Sequence, residues 1–172
     1  MTTLTPLEIP VADRDLTQPE LRELVTALGR EEGRWRGLVA FSDSERHFVS
    51  LHRDQHVDIW LICWTPANDT GWHDHDLSSG AVAVVEGALR ESSPRIGGEP
   101  WSRLVQAGEA FSFGPDHIHR LAGAADRAIS IHAYSPPLWR LGQYSIDADG
   151  VMRRLSISYA EELRPLEAPA AA

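Results

Sequence analysis

Hydrophobic and polar positions divide the chain into one N-terminal helix followed by a long series of short strands. The segment "TQPELRELVTALGREEG" places apolar residues on one helical face at the spacings i, i+3, i+4 and i+7. These residues are Leu21, Leu24, Val25 and Leu28. Thr17 and Glu20 have the spacing of a capping box, and Gly29 is expected to end the helix in a left-handed conformation. The pattern therefore predicts one amphipathic helix.

From about residue 46, apolar positions recur at every second residue, a pattern typical of strands. Strands are predicted at 46–52, 57–64, 80–87, 87–92, 101–106, 109–113, 119–123, 127–135, 139–146 and 151–159. The turn "DADG" joins the last two strands and places Gly150 where a positive φ is needed. Because each strand can bury only one face and closure removes exposed edges, an all-β barrel or sandwich is expected, preceded by the short helical segment.

Length and charge narrow the class of protein further. A chain of 172 residues suits one domain, predicted as a helical segment over 1–40, a barrel over 41–162 and a tail over 163–172. The net charge of −9 and the scattered basic residues argue against nucleic-acid binding. No signal-peptide pattern or long apolar run is present, so neither export nor membrane insertion is expected. Cys63 is expected to be buried, and a reducing cytoplasm is the expected compartment.

The histidines are the strongest chemical signal in the chain. In a strand, residues two apart point to the same face, so His73 and His75 in "HDH" project together, as do His117 and His119. Each pair is suited to bind a metal, although a short His-x-His motif also occurs in solvated polar turns. We expect His119 to be a ligand and His117 to lie beside the site or in solvent, because two further ligands from one strand would crowd it.

Three other histidines have a different expected place. His47, His52 and His56 lie in a predicted polar hairpin, where histidines are usually found at the surface. They are therefore not expected to take part in the metal site.

Three segments together resemble a known family. They are "LICWTPANDTGWHDHDLSSGAVAVVEGALRE", "PDHIHRLAG" and "AISIHAYSPP", within residues 46 to 145. In combination they resemble bacterial cysteine dioxygenases, the thiol dioxygenases of the cupin superfamily. The resemblance implies a cupin, or jelly-roll, β-barrel in which His73, His75 and His119 hold Fe(2+). It further implies that both atoms of O2 are added to a thiol sulfur, which yields a sulfinic acid.

The partners implied by this resemblance are a small thiol and O2, with no nucleic acid and no membrane. L-cysteine is the first substrate candidate, and 3-mercaptopropionate or another small thiol acid is the second. The protein is expected to be a monomer or a small homo-oligomer.

An all-histidine site suits this chemistry. Many non-heme iron sites contain a carboxylate, but "LSSG" follows the HDH motif where related cupins place an acid. Three neutral imidazoles leave the full charge of Fe(2+), which favours an anionic thiolate as a further ligand. Asp76 is out of phase with the two histidines, so a strand would point it away, although a turn beginning there would weaken that objection.

The segment "RAISIHAYS" predicts a second functional group. Strand alternation places Ser130, His132 and Tyr134 on one face, opposite Ile129 and Ile131. If this face is buried, its polar groups need hydrogen-bond partners and should form a chain; a solvent-exposed face is the alternative. The resemblance implies that Tyr134 hydrogen-bonds the substrate at the metal, oriented by His132 and Ser130. It also implies a cis peptide bond between Ser135 and Pro136.

The chain departs from the family at two places. Gly80 occupies the position where some members carry a cysteine that is cross-linked to the tyrosine, so no cross-link is expected. The family's Tyr-x-Arg run, whose arginine binds the substrate carboxylate, has no match in "HFVSLHRD". Arg53 is the expected substrate-binding residue, and Arg120 and Arg140 are further candidates.

Two rival functions remain open at this point. A cupin isomerase or carbon dioxygenase would usually retain the acidic fourth ligand. A non-catalytic metal-binding cupin sensor would need a segment that binds a partner, and the chain offers one short helix and a tail. Fold alone does not separate these functions, because function depends on the site.

Overall fold

The computed structural model describes residues 13–158 of the chain. Helix α1 (Gln18–Arg30), helix α2 (Glu32–Trp35) and a single 3-10 turn (Arg36–Leu38) precede the strands. The strands are β1 (His47–Arg53), β2 (Asp58–Trp64), β3 (Trp72–Asp74), β4 (Ser79–Glu86), β5 (Ala88–Arg95), β6 (Gly98–Gln106), β7 (Ala110–Phe113), β8 (Arg120–Gly123), β9 (Ala128–Ser135), β10 (Arg140–Ile146) and β11 (Met152–Ser158). Within residues 13–158, no helix is long and apolar enough to cross a membrane.

The strands form one large sheet and two smaller ones. The large sheet has the order β1-β2-β9-β4-β7, and the smaller sheets have the orders β11-β10-β3 and β6-β5-β8. Two isolated bridges, His73 to His119 and Asp69 to Ala122, connect the small sheets through the β3 and β8 regions. The predicted all-β fold with a short N-terminal helical segment is therefore confirmed.

The large sheet is buried on both faces. Its outer face packs against α1, where Leu21 and Val25 contact a cluster that includes Ile59 and Ile131. Its inner face contributes residues such as Val82 to a second cluster, shared with the small sheets. Strand β9 is consequently buried along its whole length, although its inner face carries polar side chains.

The strand predictions agree with the structure within a few residues at each end, and Gly150 has the expected positive φ of 77°. The structure adds β3, a strand of three residues that is too short to show alternation, and the short helix α2. The domain boundaries at 40 and 162 remain predictions. The predicted tail over 163–172 and the end of the last predicted strand lie outside the described residues.

The N-terminal helix begins as predicted but does not end as predicted. The backbone N–H of Thr17 donates to Glu20 Oε2 at 2.8 Å, which completes the capping box. The expectation that Gly29 would end the helix was wrong, because α1 continues to Arg30 and Gly29 keeps a negative φ. Its role is close packing instead: a Cβ at Gly29 would lie 2.8 Å from Val85 Cγ1.

Gly80 lies between two aromatic rings on the inner face of the large sheet. It pairs with Tyr134 of β9 on one side and Phe113 of β7 on the other. A Cβ at this position would collide with the Phe113 ring and approach Tyr134 Cδ1 to 3.1 Å. The residue that departs from the cross-linked members of the resembled family thus sits directly beside the tyrosine.

We expect Gly80→Ala to lower the free energy of unfolding by about 1–3 kcal/mol, because the added methyl overpacks a filled core. Urea unfolding of the two proteins measures the difference. Gly98→Ala is the matched control, because Gly98 has an ordinary φ and nothing lies within 4 Å of the added Cβ. Equal stability of the Gly80 variant and the wild type would contradict this account of the packing.

Candidate metal centre

The three predicted ligands come together in one buried cluster. His73 lies on β3, His75 follows that strand, and His119 precedes β8. The backbones of His73 and His119 exchange two hydrogen bonds, of 2.9 and 3.0 Å. One ring nitrogen from each of the three histidines lies within 4.8 Å of the others. The histidines are 4%, 1% and 0% exposed in chain order, so solvent does not satisfy their rings.

Hydrogen bonds orient two of the rings toward a common point. His73 Nδ1 donates to the Gly71 carbonyl at 3.1 Å, and His119 Nδ1 donates to Glu91 Oε1 at 3.0 Å. Among residues 13–158, no hydrogen-bond partner exists for either ring nitrogen of His75 or for Nε2 of His119. Buried polar atoms are rarely left without a partner, and a metal ion would satisfy these. The donor set fits a divalent metal that accepts imidazole ligands.

Burial keeps the imidazoles of His75 and His119 neutral, which is the form that binds a metal. It lowers the pKa of His75 well below the ordinary value, and the neighbouring rings of His73 and His119 add to this effect. Burial also lowers the pKa of His119 to about 3, although the hydrogen bond to Glu91 opposes the shift. The three-histidine cluster contains no carboxylate.

The two aspartates of the HDH segment point away from the cluster. Asp74 accepts hydrogen bonds from Arg154 Nε at 2.7 Å and from the Tyr144 hydroxyl at 2.6 Å. Asp76 begins a turn with a positive φ of 56°, and its Oδ1 lies 3.2 Å from Arg154 Nη2. Asp76 therefore pairs with an arginine of β11 and does not supply the missing acidic ligand.

Glu91 is a site residue that sequence reasoning missed. It is 2% exposed, and besides His119 it accepts hydrogen bonds from His117 Nε2 at 3.3 Å and Arg103 Nε at 2.7 Å. Burial alone would raise the pKa of Glu91, but the hydrogen bonds from His117 and His119 hold it below its ordinary value. The carboxylate therefore stays ionised and fixes the His119 ring. His117 lies beside the site and not in the cluster.

Ser130, His132 and Tyr134 form a buried hydrogen-bonded chain on the inner face of β9. Ser130 Oγ lies 2.8 Å from His132 Nε2, and His132 Nδ1 lies 3.2 Å from Tyr134 Oη. The Tyr134 ring stacks on His75 with 5.2 Å between ring centroids. The solvent-exposed alternative is excluded, because all three residues are at most 8% exposed. The Ser135–Pro136 peptide bond is cis, as the resemblance implied.

Two of the three arginines proposed from sequence form ion pairs with aspartates, and the third is exposed. Arg53 forms an ion pair with the buried Asp58, donates to the Leu138 carbonyl at 3.3 Å and stacks on Trp139. Arg120 forms an ion pair with Asp69, and Arg140 is exposed. The ion pairs of Arg53 and Arg120 and the exposure of Arg140 leave none of the three as an obvious anchor for a substrate.

Arg46 is a buried cation that sequence reasoning did not select. It is 8% exposed, and its Cζ lies 5.4 Å from the centroid of the Trp64 ring. Burial lowers the pKa of His132 to about 3, and the charge of Arg46 contributes to that shift. Arg46 therefore lies close to the Ser130–His132–Tyr134 chain. Arg46 is the residue immediately before β1, and no sequence motif identified it as a candidate site residue.

The three remaining candidate histidines are outside the cluster, as expected, but they are partly buried and not fully at the surface. His47 Nε2 bonds to the Leu38 carbonyl at 3.0 Å, whereas His52 and His56 pair with aspartates. Cys63 is buried on the helix side of the large sheet, away from Tyr134 on the inner face.

Comparison with known proteins agrees with this geometry. The family model for cysteine dioxygenase type I matches residues 9–147. The chain belongs to the cysteine dioxygenase type I family.

Solved structures show the cupin fold. A protein with a double-stranded β-helix domain from Klebsiella pneumoniae has a TM-score of 0.52 and 12% identity, and the match covers 69% of this chain and 91% of that one. A cupin superfamily protein from Desulfitobacterium hafniense has a TM-score of 0.51 and 11% identity, covering 59% and 87%. An RmlC-like cupin from Desulfovibrio desulfuricans has a TM-score of 0.50 and 16% identity, covering 58% and 90%.

We expect Glu91→Gln to weaken divalent metal binding by about 10- to 100-fold, because the carboxylate that orients His119 and increases its basicity is lost. Titration of the metal-free protein with a divalent ion measures the change. Glu86→Gln is the matched control, because Glu86 pairs with Arg36 at the surface. Equal metal affinities for the two variants would contradict this role for Glu91.

Proposed function

We propose that the protein is an iron-dependent thiol dioxygenase that converts a small thiol and O2 into a sulfinic acid. L-cysteine is the first substrate candidate, and 3-mercaptopropionate is the second. The observation that carries the proposal is the arrangement of three buried imidazoles, without a carboxylate, beside the buried hydroxyl-bearing chain that ends at Tyr134. Membership of the cysteine dioxygenase type I family supports the same reaction class.

The residues that would hold Fe(2+) are His73, His75 and His119. Bound iron would supply the positive charge that favours a thiolate and the redox chemistry that activates O2. The protein contributes ligands without a carboxylate, and burial opposes protonation of His75 and His119. An anionic sulfur is therefore a better additional ligand here than in a site that already contains a carboxylate.

Tyr134 is suited to position the substrate. Its ring lies against His75, and its hydroxyl is linked to His132 and Ser130 inside the barrel. A phenol held in this way can hydrogen-bond a group at the metal without a large loss of side-chain entropy when the substrate binds. Because the chain is buried, solvent does not compete for these hydrogen bonds.

Arg46 is our candidate for binding the substrate carboxylate, in preference to Arg53. A carboxylate recognised inside the barrel needs a cation close to the Tyr134 chain, and Arg46 lies over the Trp64 ring, which stacks on His132. Arg53 is committed to Asp58, whose carboxylate is fully buried. Moving Arg53 to a substrate would leave that buried acid without its ion-pair partner.

The central test is the reaction itself. Iron-loaded protein mixed with L-cysteine in air should consume O2 and form the sulfinate, and His119→Ala should lose both bound iron and O2 uptake. His52→Gln is the control, because His52 pairs with Asp54 outside the cluster and the variant should retain both. A panel of small thiols that gives no O2 uptake above the metal-free protein would overturn the assignment and favour a non-catalytic metal-binding role.

Arg46→Gln should raise the KM for thiols that carry a carboxylate by about 10- to 100-fold, the loss expected for one charge-assisted hydrogen bond. Iron content should stay unchanged, and cysteamine, which has no carboxylate, should be affected little. Arg120→Gln serves as a control at an arginine that pairs with Asp69 instead. If Arg53→Gln raises KM and Arg46→Gln does not, the anchor is Arg53.

A further inference from the structure

The buried chain on β9 extends to a residue on the neighbouring strand. Trp64 of β2 is 0% exposed, and its Nε1 donates to Ser130 Oγ at 2.8 Å. The Trp64 ring also stacks on His132, with 6.1 Å between the ring centroids. Four side chains thus form a continuous series from Trp64 through Ser130 and His132 to Tyr134.

We propose that Trp64 sets the direction of every hydrogen bond in this series, so that Tyr134 acts toward the substrate as a hydrogen-bond donor. Trp64 is a positioning residue in this proposal. It acts through Ser130 and His132, to which it is joined by a hydrogen bond and by ring stacking.

The first step follows from the chemistry of the indole. An indole N–H can only donate, so Ser130 Oγ must accept on the side that faces Trp64. Ser130 is 0% exposed, and its hydroxyl proton needs an acceptor inside the protein. Within residues 13–158, the Ser130 hydroxyl bonds to Trp64 and His132, and of these only His132 Nε2 can accept. Ser130 therefore donates to His132.

The second step concerns the tautomer of His132. Burial keeps this imidazole neutral, and the nearby charge of Arg46 further opposes protonation. A neutral imidazole carries one proton, and because Nε2 accepts from Ser130 this proton is on Nδ1. Nδ1 then donates to Tyr134 Oη, 3.2 Å away. The Tyr134 hydroxyl therefore accepts from His132, so its own proton is directed to a different acceptor.

The opposite direction is disfavoured by a buried, unsatisfied donor. If His132 donated from Nε2, the Ser130 hydroxyl would accept from both neighbours, and its proton would lack an acceptor. A hydroxyl that accepts a hydrogen bond is also a stronger donor, so the Trp64 N–H strengthens the bond from Ser130 to His132. In Trp64→Phe the smaller ring leaves room beside Ser130 Oγ for a water molecule that can accept the hydroxyl proton, so both tautomers become accessible.

The decisive measurement is the tautomer of His132, read by long-range proton–nitrogen NMR of the zinc-loaded protein with the signal assigned from His132→Gln. The wild type should carry the proton on Nδ1, and Trp64→Phe should show a mixture of the two tautomers. A wild-type proton on Nε2 would overturn the proposal, and this result needs no variant to fold. A Trp64→Phe protein that keeps the wild-type tautomer would overturn the role of Trp64.

The kinetic part rests on the proposed thiol dioxygenase function. Trp64→Phe should lower kcat for thiol oxidation by about tenfold, which corresponds to the free-energy contribution of about one hydrogen bond. KM and iron content should change little. Trp35→Phe is the matched control, because Trp35 is equally buried and its Nε1 donates to the Leu28 carbonyl, outside the series. Unchanged kcat in Trp64→Phe would contradict the proposal. Absence of thiol oxidation in the wild type would contradict the proposed function alone, because the NMR result does not depend on turnover.

Discussion

Two backbone hydrogen bonds between His73 and His119 are the interaction on which the site depends. They connect the two small sheets and bring two imidazoles side by side, while His75 follows two residues after His73. The resulting cluster buries ring nitrogens that have no hydrogen-bond partner among the described residues. Such burial is costly unless a ligand satisfies the nitrogens, and the arrangement is suited to hold a metal ion.

The large sheet explains how a polar chain is kept inside a hydrophobic protein. Helix α1 covers the outer face of the sheet, where Ile129 and Ile131 lie. The inner face can then present Ser130, His132 and Tyr134 to the barrel interior without exposing either side of β9. These three polar groups hydrogen-bond to one another and are therefore tolerated inside the barrel. Helix α1 contributes by covering the opposite face of β9.

Carboxylates near the three-histidine cluster are paired with cations or hydrogen-bonded to histidines, and none belongs to the cluster itself. The buried carboxylate of Glu91 is held between Arg103 and the two histidines at 117 and 119, and Asp74 is held by Arg154. Arg103 lies opposite Glu91 across the β5–β6 hairpin, whereas Arg154 is 80 residues from Asp74 in sequence. The negative charge of Glu91 thus lies behind the His119 ring and not among the three clustered imidazoles.

The sequence alone determined what depends on local spacing: the strands, the convergence of His73 with His75, and the alternation that separates Ile131 from His132. A period of two is a property of any strand, whatever it packs against. Tertiary structure decided the rest. Glu91 reaches His119 across 28 residues, and Arg154 reaches Asp74 across 80. Such partners, like Trp64 and Arg46, are selected by strand pairing and burial, which leave no spacing signal along the chain.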